Sequence, residues 1–455
     1  MNIKDDLILS QIKEGYLVGG SVRDALMKKK FIDRDLSIKN AETFAKKLAQ
    51  QLNATFIELD NENKIYRLVL EDKINYLDIS EMQGNCIEED LSRRDFAINA
   101  IAINLSTGLI IDPFNGQTDI QHKIIRHIKD SNFTDDPLRI LRAFRFASVT
   151  GFDLSADVKN CIKKYKHLLL KPARERINYE LMKLFGGDYC SKTLLLMDEL
   201  DVLEDIFPCA REMKKVPPNT HHHLDLFHHV VETVRNIEDI YLNSNEKEKA
   251  HLESTDFGGF PRINHLKLAG FLHDIGKFST WTIEETGRHR FIKHDDVGAK
   301  MCIPYLREMK FSKKQIEYIS LMIKNHIYPS NVIDAPDLNE KVIMRYIRKM
   351  DSNVIDNIIL AKADRLSARG EAITEDIIKA NLNGLNKLLQ FYLEQKDKIK
   401  PLPKLLDGFE IMEIKNIKQT PELGKIIRAL KEAQINGDVN TKDEAIDFIK
   451  SLGIN

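Results

Sequence analysis

The chain has 455 residues, 43% of them hydrophobic and 30% charged, with a formal net charge of -1. That length exceeds one ordinary core, so about two to four domains are expected, and the balanced charge excludes a molecule-wide basic field: any nucleic acid must be held by a local patch of Lys and Arg. Five cysteines without CxxC spacing exclude a disulfide framework and a zinc knuckle, the start MNIKDDLILSQ is too short and acidic for a signal peptide, and no apolar run could span a bilayer; a soluble, cytoplasmic protein is expected.

The chain opens with short β-branched or alternating runs. GYLVGG, DRDLSI, KIYRLVL and INYLDIS read as strands, and ETFAKKLAQQL between them reads as an amphipathic helix. This mixed segment ends near Asp130. Strand signals then fade, and DPLRILRAFRFASVTG, SADVKNCIKKYKHLLL and RERINYELMKLF are helical in period. From His221 to Gly370 the helices continue while most of the 14 histidines gather there. VPPNT and KIKPLP punctuate the chain, the second before a small helical tail. The expected fold class is α+β: a mixed-sheet head over 1–130, a helical segment over 131–215, a histidine-rich helical domain over 216–375 and a helical tail over 376–455.

Two motifs in the head point to phosphate chemistry. GGSVRD, Gly19 to Asp24, follows an apolar strand, and paired glycines let a backbone turn sharply and approach a phosphate closely. Arg23 opens the next helix, where a cation can grip a triphosphate. In DRD, Asp33 and Asp35 stand two apart on a strand, so they share a face while Arg34 points opposite. Two carboxylates on one face suit Mg²⁺, and Asp78 in YLDIS offers a third from a neighbouring strand.

In order and spacing these motifs resemble the class II tRNA nucleotidyltransferase and bacterial poly(A) polymerase family. EEDLSRRDFAINAI from Glu88, IDPFNGQTDIQHKIIRHI from Ile111, TDDPLRILRAFRF from Thr134 and RERINYEL from Arg174 are similar to its later motifs. The resemblance implies that Asp33 and Asp35 hold the metals that activate an RNA 3′-hydroxyl. It implies that Gly19, Gly20, Ser21 and Arg23 border the triphosphate, and that Arg93, Arg94, Asp95 and Asn99 surround ribose and phosphates, where Arg supplies forked, permanently charged donors. Asp136, Arg139 and Arg142 would select the base. Helical spacing i, i+3 and i+6 sets Asp136 beside Arg139, a carboxylate and a guanidinium that together imitate a base-pairing edge. The block begins Asp135-Asp136 where the family commonly has Glu-Asp. The stretch between Asp78 and Glu88 is short, and in the family a short segment accompanies addition of only part of the CCA sequence; full and partial addition both stay open.

A second constellation follows. LAGFLHDIGK contains His273 and Asp274 at the end of an apolar helix. Upstream, His229 flanks the stripe Leu226, Val230, Val234, Ile237, whereas His228 points about a quarter-turn away. Downstream come His294, His326 and Asp364. Imidazoles and carboxylates on inward helix faces suit a divalent metal with open positions for water. The order resembles the HD phosphohydrolase superfamily, which implies His229, His273, Asp274 and Asp364 as ligands, His294 and His326 as completing a binuclear site, and one or two ions of Mn, Ni, Fe, Co or Mg. His221, His222 and His223 read as loop surface with at most a supporting member. The tail resembles the segment that often follows the HD domain in this family, either contacting RNA or capping the fold.

The leading expectation is therefore an enzyme that adds C and/or A from CTP and ATP to the 3′ end of tRNA, with an HD phosphohydrolase side activity, acting as a monomer or homodimer away from membranes. Poly(A) polymerase, and an HD phosphohydrolase whose front half mainly binds RNA, are the alternatives.

Overall fold

The computed structural model describes residues 6–29, 33–399 and 402–453, the side chain of Asp33 lying outside the described set. The chain divides into two compact units, Met1–Pro208 and Cys209–Asn455.

In the first unit the four runs legible in sequence form β1 (Tyr16–Val18), β2 (Asp33–Ile38), β4 (Ile65–Val69) and β5 (Tyr76–Glu81), joined by β3 (Thr55–Asp60), β6 (Ala102–Asn104) and β7 (Ile110–Ile111). The described sheet has the order β3-β4-β5-β2-β1-β6-β7. β2 and β5 are parallel; the other neighbours are antiparallel. Alternation assigns the two faces. Leu17, Leu36, Leu68, Leu77 and Ile79 pack with Ala45 and Leu48 of helix Ala41–Gln51. Val18 and Ala102 face the other way, onto Ile87 and Leu91 of helix Ile87–Ser92. β3 has both faces largely open at the sheet edge, so its TFIELD run carries no clean period. Helices Leu138–Thr150 and Arg174–Phe185 then pack on one another.

The second unit is mostly helical. Helix Leu226–Leu242 packs against Arg262–Leu272 and Val354–Ser367, and Arg262–Leu272 packs on Lys313–Asn325. Every residue of Arg262–Leu272 is buried, as befits a central helix without a strong polar face. A hairpin, Trp281–Ile283 with His289–Phe291, interrupts the helices. The tail helices Gly408–Lys415, Pro421–Asn436 and Lys442–Ser451 share a small core of Ile411, Ile426, Leu430, Ala445 and Ile449. Among the described residues no helix is long and apolar enough to cross a membrane.

Candidate active site and metal centre

The first site lies where β1 ends. Gly19 has φ 72° and ψ -136°, a conformation essentially reserved for glycine, and it turns the chain into helix Gly20–Leu26. A Cβ on Gly19 would stand 3.4 Å from Asp35 Oδ2 and 3.2 Å from Arg94 Nη1. Gly19 thus keeps open a gap between a carboxylate and a guanidinium. The Ser21 hydroxyl accepts from the Asp35 backbone N–H at 3.1 Å, tying the turn to β2. Arg34 points to the opposite face, where it is buried and pairs with Asp6 at 2.8 Å. Of the expected Asp33–Asp35 pair, only the Asp35 side chain lies within the described residues.

Asp78 is register partner to Asp35 and so shares its face. Both of its carboxylate oxygens, however, accept from Arg67 of β4, each at 2.7 Å. A third free carboxylate is therefore not what the structure presents. Arg67 was missed in sequence because cross-strand register, which sets it opposite Asp78, is not legible in one strand.

Around the gap the expected arginines take distinct stations. Arg23 is buried, donates to Asn99 Oδ1 at 2.8 Å and pairs with Asp24. Arg94 pairs with the buried Asp90 at 3.2 Å, while Arg93 is exposed and 3.5 Å from Asp90. Asp95 does not face outward. Arg142 Nε donates to it at 2.8 Å, Arg142 Nη2 and Asn99 also donate, and its Oδ1 accepts from the Phe96 N–H. Burial would raise the Asp95 pKa, but the Arg142 charge and these hydrogen bonds bring it down to about 2. Arg23, Arg142 and Arg145 ring Phe146 at 5.3, 5.5 and 4.1 Å from its centroid. Buried Glu180 balances Arg142 and Arg145.

The expected base-reading triplet is rearranged. Asp136 is extended, φ -140°, and the helix starts only at Leu138, after Pro137. A residue before proline is driven from the helical region, so Asp136 is not the first member of an i, i+3 pair. It pairs instead with Arg176 at 2.9 Å. Arg139 donates to the carbonyls of Asn132 and Arg93, and Arg142 is engaged with Asp95.

The second site gathers all six expected residues. Asp225 caps helix Leu226–Leu242 and sets His229 in its first turn, fully buried, while His228 is exposed. Gly276 permits the turn after His273-Asp274: a Cβ there would fall 2.0 Å from the His294 carbonyl oxygen. His229 Nε2 lies 3.3 Å from Asp274 Oδ2 and 3.2 Å from Asp364 Oδ1; His273 Nε2 lies 3.2 and 3.6 Å from the same two atoms. On the other side of Asp274, Oδ1 is 3.3 Å from His294 Nε2 and 3.5 Å from His326 Nε2. Ligands about 2.1 Å from one ion stand roughly 3.0–3.4 Å apart, so at these separations His229, His273, Asp274, Asp364, His294 and His326 are the residues that would hold divalent metal.

Tautomers agree with that use. Nδ1 of His273, His294 and His326 each donates to a backbone carbonyl, of Gly270, Phe291 and Ile323, at 2.7–2.8 Å. This turns each Nε2 lone pair inward. His229 Nε2, His273 Nε2 and both Asp274 oxygens are buried without a well-formed protein hydrogen bond, and Lys277 Nζ stands 2.6 Å from Asp274 Oδ2. Buried lone pairs converging in this way, with Lys277 as the one cation beside Asp274 among the described contacts, are what a divalent ion would satisfy. Burial alone would raise Asp274 and Asp364, yet Lys277 with the facing imidazoles holds Asp274, and His229 with His273 holds Asp364, well below the usual carboxylate range.

Comparison with known proteins covers the regions that hold both sites. Residues 15–126 match the Poly A polymerase head domain, 151–214 the probable RNA and SrmB-binding site of polymerase A, and 226–369 the HD domain. In that order the three matches run from the tRNA nucleotidyltransferase and poly(A) polymerase type of head to an HD domain, to which the chain is similar. The chain is 29% identical to the A-adding tRNA nucleotidyltransferase of Deinococcus radiodurans, over 95% of this chain and 94% of that one. It is 28% identical to the CC-adding tRNA nucleotidyltransferase of Thermus thermophilus, over 96% and 93%. A solved tRNA nucleotidyltransferase, complexed with a primer tRNA and an incoming ATP analog, shares the fold at TM-score 0.59 and 23% identity, covering 85% of this chain and 99% of that one.

Proposed function

We propose that the chain adds C and/or A nucleotides from CTP and ATP to the 3′ end of tRNA, and that it adds only part of the CCA sequence. The observation that carries the transfer chemistry is the gap that Gly19 holds open between Asp35 and Arg94. A carboxylate and a guanidinium facing across a side-chain-free turn can take, respectively, a metal-bound triphosphate and its anionic oxygens. In this reading Asp33 and Asp35 hold Mg²⁺, which when bound aligns the triphosphate with the attacking hydroxyl. Gly20, Ser21 and Arg23 border the phosphates, and Arg93, Arg94 and Asn99 face ribose and phosphates. Asp95 holds Arg142 in place, Asp78 with Arg67 forms a neutral wall beside Asp35, and Asp136 and Arg139 lie nearest to the base.

Partial addition is favoured by two facts. The aligned relatives that span nearly the whole chain, from D. radiodurans and T. thermophilus, are an A-adding and a CC-adding enzyme. Between β5, ending at Glu81, and helix Ile87–Ser92 there is room only for residues 82–86. The imidazoles and carboxylates that converge on Asp274 support a second activity, hydrolysis of phosphate esters at an HD centre holding Mn, Ni, Fe, Co or Mg. Free thiols and nucleotide substrates fit a cytoplasmic location.

The test supplies tRNA ending at the discriminator base, at C or at CC, with CTP and ATP given separately. Incorporation of CTP alone or ATP alone is expected, and Asp35→Asn should lower it on the order of 10³-fold or more, the scale of several kcal/mol from a metal site. Completion of CCA by the enzyme alone would refute partial addition, and full activity of Asp35→Asn would refute the site.

A further inference from the structure

We infer that His222, from the loop before helix Leu226–Leu242, is a further donor to the HD metal centre, supplementing His229, Asp274 and Asp364. The inference rests on the reading of that centre as a metal site and adds one residue to it.

Sequence alone placed His222 in a surface cluster with His221 and His223. The structure separates the three: His221 and His223 are exposed, while His222 turns inward. Its ring meets the His229 ring edge-on at 4.6 Å. Donor atoms of His222, His229, Asp274 and Asp364 all lie within 4.8 Å of one another. The anchoring repeats that of the established set. His222 Nδ1 lies 3.3 Å from Asn219 Oδ1, so its N–H donates there and the Nε2 lone pair is directed to the centre, as in His273, His294 and His326.

The loop is built to hold this ring. Asn219 and His222 exchange backbone hydrogen bonds at 2.8 and 3.1 Å. Thr220 and His221 accept from the N–H groups of Ala372 and Gly370 at 2.8 and 2.9 Å, in the segment that follows the helix bearing Asp364. The loop that carries His222 is thereby tied to the segment that leaves the Asp364 helix.

Lys277 Nζ sits 3.3 Å from His222 Nε2 and 2.6 Å from Asp274 Oδ2. Two atoms that converge on one ammonium form a cation seat. Lys277 carries its charge on a flexible four-carbon stem, so a divalent ion can take that seat while the ammonium swings aside. Nothing comparable frees the imidazole, which the Asn219 contact and the loop hold in place.

Titration of the full-length protein with Co²⁺, followed by its visible absorption and by chelator competition, tests the assignment. Wild type should bind Co²⁺, His229→Ala should lose at least one site, and His222→Ala should weaken one site about 10- to 100-fold with a shifted absorption band. His222→Gln, which keeps a polar contact for Asn219, should show the same loss, and both variants should melt like wild type in chelator. Where His222→Ala melts lower in chelator, the comparison rests on His222→Gln. If wild type and His229→Ala behave as stated but the His222 variant has wild-type affinity and spectrum, the inference falls and the metal centre stands. If wild type binds no Co²⁺, both fall.

Discussion

Gly19 and Asp95 carry the sharpest consequences at the level of single residues. Gly19→Ala would place a methyl between Asp35 Oδ2 and Arg94 Nη1 and force a non-glycine residue into a glycine-only conformation. Loss of nucleotide incorporation by about 10²-fold or more is expected, because a misplacement near 1 Å at the reacting groups has that effect. Steady-state kinetics should show it mainly in kcat. Asp95 concerns stability. Its folded pKa, about 2, lies below the ordinary 3.8, so its contribution is fully present above about pH 4 and is lost as pH falls toward 2. Urea midpoints for the first unit should drop across that window. Asp95→Asn should flatten the dependence and, by leaving Arg142 only the longer Glu180 contact at 3.5 Å, lower stability at pH 7 by about 3 kcal/mol.

The boundary before helix Leu138–Thr150 decides which groups can face a base. Pro137 keeps Asp136 extended and paired with Arg176, and the helix starts two residues later than the sequence pattern suggests. Pro137→Ala would let the helix extend backward and draw Asp136 toward Arg139. The expected result is a change in the ratio of kcat/KM for CTP and ATP with a change of about 1 kcal/mol or less in stability; an unaltered ratio would remove Asp136 from base selection. The helical periods of this region were legible because its buried stripes are long and regular. The break at Asp136-Pro137 has its cause in the dipeptide itself, which the i, i+3 spacing of Asp136 and Arg139 leaves out of account. β3 escaped notice for the opposite reason: an edge strand open on both faces leaves no alternation to detect.

Across the whole molecule there are two compact units with cores of their own, and the two proposed chemistries fall one to each. Asp35→Asn should abolish nucleotide transfer and spare phosphate-ester hydrolysis, and Asp274→Asn should do the reverse. Chelation should lower the melting transition of the second unit alone. Adding back metal at about 100-fold over its Kd should restore roughly 2.7 kcal/mol there, read by calorimetry. A single transition that moves as one with metal would show that the units unfold together.

The sequence by itself determined the kinds of chemistry available. Glycine turns, paired carboxylates and ordered histidines are local features, and their order along the chain is fixed by covalent structure. Strand faces also follow from alternation, which is why Asp35 and Arg34 could be set on opposite sides before any coordinates. What only the tertiary structure decided is which group meets which across elements: Arg67 on Asp78, Arg142 on Asp95, Arg176 on Asp136 and His222 beside His229. Those pairings depend on register and packing between segments far apart in sequence, and on the need of each buried charge for a partner, which no local pattern records.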